Sequence, residues 1–146
     1  MYRRVGWAWL ALCSALALHV WDEAAHDFLA VYNPNAAAIQ AALPWLPVPQ
    51  FTYPEWRNGL IVAVLVLAAL SVLLFGGKRA MRVPAMIFAG IMTANGCVHI
   101  LGSCWMGTWM PGVYSSPLLI VCGVWLFSNA HLWEEHLLPD WYEKAV

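Results

Sequence analysis

Apolar residues fill this chain in long runs, and the polar positions between them mark out four membrane-crossing helices. The first run extends from Val5 to about Leu29, apolar in its first half and carrying His19, Asp22, Glu23, His26 and Asp27 in its second. Asn33-Pro34 is expected to stop it, because proline disfavours helix in the residue before it. The second run, 58–75, is plain lipid-compatible sequence closed by Gly76-Gly77. A third covers 83–104. A fourth follows the Trp109-Met110-Pro111-Gly112 turn over 113–129, with room for the helix to continue to Leu138 before Pro139. Each run is close to the roughly 20 residues a helix needs to cross a bilayer. The predicted fold is therefore all-α: a four-transmembrane-helix bundle in which residues 1–146 form one integral membrane domain.

The connection between the first two runs, residues 35–57, is long for so small a protein. Ala36 to Leu43 has the makings of a short interfacial helix. Pro44, Pro47, Pro49 and Pro54 then forbid regular structure, and the interleaved aromatics suit a membrane interface. The segment is either a functional cap or a spacer lying along the bilayer.

Composition agrees with this pattern. Of 146 residues, 62% are hydrophobic and 10% charged, against about a quarter charged in soluble domains. No Asp, Glu, Lys or Arg occurs between Arg82 and Glu134, a stretch that could not furnish a soluble fold with polar surface. Nucleic-acid binding by bulk charge, disorder and a disulfide-built miniprotein are excluded on the same grounds. Arg3 and Arg4 precede the first run, and Lys78, Arg79 and Arg82 separate the second from the third. Only four spans with both termini cytoplasmic put all five on the inner side, leaving Arg57 outside. The first run resembles a signal peptide but is followed by no small-residue cleavage site, so it is expected to stay as a span of a bacterial inner-membrane protein. Cys13, Cys97, Cys104 and Cys122 form no CxxC pair and read as small core residues, although Cys97 and Cys104 are seven apart and share a helix face.

An ionisable side chain within a span is expensive, so each one is a candidate for function. His19, Glu23 and His26 stand at i, i+4 and i+7, which places a carboxylate between two imidazoles on one helix face, with Asp22 at its side. Imidazole and carboxylate at this spacing suit a divalent metal, zinc or iron, and equally a proton relay. The bland alternative puts these groups, idle and solvated, at the outer interface. Asn95 and His99, also i and i+4, fall in the same leaflet and can meet the first set inside the bundle. The alternative reading is that they serve as helix-packing glue. His131, Glu134, Glu135 and His136 form a third set at the cytoplasmic end, where a solvated helix terminus is the simpler account.

The HVWDE segment, His19 to Glu23, is an H-x-x-[DE]-E pattern. With the N-x-x-x-H of Asn95 and His99 and the following turn at Pro111-Gly112, it resembles the HXXEE family of small bacterial membrane proteins. The resemblance implies that His19, Asp22, Glu23, Asn95 and His99 are the marked positions, with Asp22 standing where the family has a longer acid. It names no reaction.

Two functions are expected from these features. In one, His19, Asp22, Glu23, His26 and His99 bind a metal, or Glu23 and His19 act as acid and base on a lipid-like small molecule, with Asn95 as polar support. In the other, the chain is a non-enzymatic accessory subunit whose polar residues hold helices together. Four short spans leave little room for a solute pathway, so transport would require an oligomer.

Overall fold

A computed structural model describes residues 2–135; the side chains of Glu134 and Glu135 lie outside that description, as does His136. Five α-helices follow one another: α1 (Tyr2–Ala25), α2 (Phe28–Ala42), α3 (Tyr53–Phe75), α4 (Arg82–Met106) and α5 (Ser116–Glu135). A single 3-10 turn, Arg79–Met81, precedes α4. Among the described residues, α1, α3, α4 with its leading turn, and α5 to Trp133 are long and apolar enough to cross a membrane. At 1.5 Å per residue, the 24 residues of α1 span about 36 Å, against a hydrocarbon core of about 30 Å.

α1 lies at the centre, packing α3 on one side and α5 on the other, and α4 packs mainly against α5. Sequence explains the order. α3 is almost wholly aliphatic, so it can turn most of its surface to lipid, and it buries only Trp56, Ser71 and Leu74. α1 alternates bulky and small residues, and its Val5, Ala8, Trp9, Leu12, Cys13, Ala15 and Leu16 form the heart of the core. Trp9 also donates its indole N–H to the Leu67 carbonyl of α3 at 2.6 Å. In the α4–α5 seam, small residues let the backbones approach. A Cβ on Gly96 would meet Ile120 at 2.8 Å and the Ser116 carbonyl at 3.0 Å, and one on Gly123 would collide with Thr93. Such small-residue seams are the usual packing device where lipid removes the hydrophobic drive.

Helix ends follow local chemistry. At the start of α3, the Glu55 carboxylate accepts the Thr52 N–H at 2.9 Å and the Thr52 hydroxyl at 2.6 Å, which is a capping box. Its end is closed by Gly77 at φ 68°, with Lys78 N–H donating to the Leu73 carbonyl at 3.0 Å, a geometry that favours glycine.

The first turn after α1 differs from the sequence expectation. The helix ends at Ala25, four residues before Leu29, because Asp27 adopts the left-handed conformation (φ 54°, ψ 53°). Asn33-Pro34 does not stop a helix; Pro34 lies inside α2. The chain has already turned at Asp27, and α2 is held from outside. Asn33 bonds the Phe51 carbonyl at 2.9 Å and accepts the Phe51 N–H at 3.1 Å, while Tyr32 donates to the Pro49 carbonyl at 3.0 Å. These bonds fold the proline-rich segment back along α2 and offset the hydrogen bond that Pro34 cannot make.

Neighbouring spans run antiparallel: Gly6 meets Phe75, and Gly96 meets Ile120. Arg3, Arg4, Lys78, Arg79 and Arg82 therefore gather at one end of the bundle, where Arg82 donates to the Ala130 carbonyl at 3.1 Å. His19 and His99 lie toward the other end, six and seven residues from the ends of their helices. That is about 9–10.5 Å of rise, so both lie in the half of the helix toward that end. His131 is exposed near the end of α5, its ring stacked on Phe127.

Candidate metal centre

α1 supplies His19 and Glu23 one turn apart, and α4 supplies His99. All three side chains are buried. Glu23 Oε1 stands 3.6 Å from His19 Nε2 and 3.2 Å from His99 Nε2, and the three ligand atoms all lie within 4.8 Å of one another. The two imidazoles meet edge to face with centroids 4.7 Å apart.

The far side of each ring fixes where its proton sits, because hydrogens are assigned from the bonding network. His99 Nδ1 faces the Pro111 carbonyl, which can only accept, so Nδ1 carries the hydrogen and Nε2 presents a lone pair. His19 Nδ1 lies 2.9 Å from Ser115 Oγ. That hydroxyl has one hydrogen and two acceptors within reach, Asp22 Oδ2 at 2.8 Å and the Gly112 carbonyl at 3.1 Å. Its hydrogen is spent there, so His19 Nδ1–H is the donor and His19 Nε2 also presents a lone pair. With both rings neutral, two imidazoles and a carboxylate aim three acceptors at one point. Consistent with this, His19 Nε2 is fully buried without a hydrogen-bond partner.

The loop between α4 and α5 holds both rings in place. Ser103 Oγ donates to the His99 carbonyl at 2.8 Å and accepts the Met110 N–H at 2.9 Å, tying the loop to the last turns of α4. Pro111 then receives His99, and Ser115 receives His19. Gly112, at φ 89°, sits between them: a Cβ there would stand 2.9 Å from the Cε1 atoms of both imidazoles. Only glycine meets both the backbone and the space requirement. On the other side, the Phe28 ring lies 5.9 Å from that of His99 and is followed outward by Trp56 and Tyr32.

The sequence-expected ligands divide into two layers. His19, Glu23 and His99 converge. Asp22 is buried too but is turned away from them: Oδ2 accepts the Ser115 N–H at 2.9 Å and the Ser115 hydroxyl, and Oδ1 lies 2.9 Å from His26 Nδ1. His26 is half exposed and rests against Tyr114. The i+7 spacing would place it with His19 only if the helix continued, and α1 ends at Ala25. The Asn95 amide is a side-chain hydrogen-bond neighbour of the His19 imidazole. Sequence reasoning missed Ser115, which is 93 residues from Asp22 and reads only as part of a Ser-Ser-Pro helix start. Cys13, Cys97, Cys104 and Cys122 are free thiols and take no part in the group.

No protein-family model, curated protein or solved structure matches the chain.

Gly112→Ala tests the role of the loop. The added methyl and the positive φ are expected to cost about 1–3 kcal/mol, read as a lower thermal midpoint in detergent. The ring nitrogen resonances of His19 and His99 should both shift; unchanged resonances would show that the loop does not set the rings.

Proposed function

We propose that this chain is a multi-pass membrane protein of a bacterial inner membrane that holds a divalent metal between His19, Glu23 and His99, in the outer half of the bundle. The observation that carries the reading is the convergence of Glu23 Oε1 with the Nε2 atoms of His19 and His99, all three buried and with ligand atoms within 4.8 Å of one another. A single proton satisfies the 3.2 Å contact between Glu23 and His99 and leaves His19 without a partner. A metal serves all three at once. Two bonds of about 2.0–2.1 Å at the tetrahedral angle set their donor atoms about 3.3 Å apart, and the contacts at 3.2 and 3.6 Å bracket that value.

Nitrogen and oxygen donors without sulfur suit zinc or iron(II). His99 bonded to a backbone carbonyl and His19 bonded through Ser115 to a carboxylate are the outer partners that ligating histidines ordinarily have. Two histidines and one glutamate resemble the ligand sets of catalytic zinc, which acts as a Lewis acid or on a bound water. At this depth, and with Phe28 and Trp56 beside the site, a lipid-like small molecule is the substrate class that fits. Kinship with HXXEE proteins belongs to the same proposal, as does the orientation: five basic residues gathered at one end support a cytoplasmic location for that end. A purely structural role for the polar groups fits less well, since helix-packing groups pair with each other and these three present only acceptors.

Metal analysis of protein purified in detergent without chelators should find close to one zinc or iron per chain. His19→Ala, His99→Ala and Glu23→Gln should each lose at least nine-tenths of it while Asp22→Asn and His26→Ala retain most. Equal metal content in wild type and all three ligand variants would refute the site. The orientation has a separate check: a cysteine at Thr108, in an otherwise cysteine-free background, should react with impermeant maleimide from the periplasmic side and not from the cytoplasm.

A further inference from the structure

Between α2 and the last turns of α4 lies a cleft of about 840 Å³, within the roughly 300–1,000 Å³ of small-molecule sites. Its walls are apolar, with Val31 on α2 and Val98, Leu101, Gly102 and Met106 on α4. Val98, Leu101 and Trp105 are exposed at its rim, on a helix long and apolar enough to cross a membrane. Among the described residues, the side-chain hydrogen bonds of α2 stay within its own segment: Tyr32 to Pro49, Asn33 to Phe51 and Asn35 to Val31. Polar contacts of that kind do not close α2 onto α4.

The cleft is continuous with the candidate metal centre. Along α2, Phe28 is followed by the cleft residues Val31 and Asn35; along α4, His99 is followed by Gly102 and Met106. Each trio stands at i, i+3 and i+7, and so occupies one face of its helix. The first members of the two trios touch, Phe28 and His99 having ring centroids 5.9 Å apart. The same two faces therefore meet at the metal ligands and part beyond them to form the cleft.

We infer that this cleft holds the alkyl chain of a single-chain amphiphile whose anionic head group binds the metal. The inference rests on the metal reading above and gives its lipid-like substrate a binding site. The chain lies against Val31, Val98 and Leu101, and the head group meets His99 where Phe28 now does. Apolar walls make affinity rise with chain length. Bulk lipid touching α4 has no such coupling to the ion, which separates this occupant from the surrounding bilayer.

The test uses full-length protein in detergent, loaded with cobalt(II), whose visible spectrum reports alkyl hydroxamates reaching the ion. Octanohydroxamate should bind wild type at least tenfold more tightly than acetohydroxamate. Val31→Trp fills the cleft from α2: acetohydroxamate affinity should stay within threefold of wild type, while the advantage of the octyl chain falls below threefold. Val98→Trp fills it from α4 and should act alike, which covers a failure of either variant to fold. Val62→Trp, at an exposed position on α3, should keep the full advantage. An unchanged advantage in both cleft variants, or none in wild type, would overturn the assignment. Failure of wild type to take up cobalt would instead bring down the metal reading, and the chain site with it.

Discussion

Two carboxylates are buried near the end of α1, a helix long and apolar enough to cross a membrane, and the rest of the structure is arranged around what balances them. An ionised carboxylate buried without a partner is costly, so neither acid can be idle. Asp22 is balanced by hydrogen bonds: two from Ser115 and a contact with His26. Glu23 has no such donors. It faces two imidazole nitrogens whose hydrogens are committed on the opposite side of their rings. Negative charge opposed only by lone pairs is the arrangement a cation completes.

The fold brings this about with few direct contacts between α1 and α4. Each packs on α5 instead, and the loop that joins α4 to α5 does the positioning. It leaves α4 through a left-handed Gly107, is tied back by Ser103, and passes Gly112 between the two rings before Ser115 meets Asp22. Because one short segment contacts both histidines, their separation is set by this loop as well as by the helices that carry them. Beside the bundle, α2 and the proline-rich segment fold against each other and place Phe28 next to His99.

Much of this was legible from the residues. The four long apolar helices follow from the hydrophobic runs, and the i, i+4 spacing of His19 and Glu23 correctly put them on one face. Matching depth for His99 came from counting residues along its run. What was not legible depended on backbone events without a clear sequence signal. Asp27 turning left-handed ended α1 early and took His26 out of the site, while Pro34, the stronger helix-breaking signal, was absorbed into α2 because tertiary bonds from Asn33 and Tyr32 outweighed its cost. Depth also shifted: α1 begins at Tyr2, so His19 sits nearer the far end than a start at Val5 implied. Ser115 could not be found by spacing, since its partners lie more than 90 residues away.

The proposed cation site lies in the polar half of α1, with nitrogen and oxygen donors and no thiolate, although four cysteines are present. X-ray absorption at the edge of the metal that copurifies with the protein addresses this directly. The account predicts a four-coordinate ion with two imidazole nitrogens at about 2.0–2.1 Å and two oxygens at about 2.0–2.2 Å. A shell containing sulfur at about 2.3 Å, or one without imidazole scattering, would contradict it.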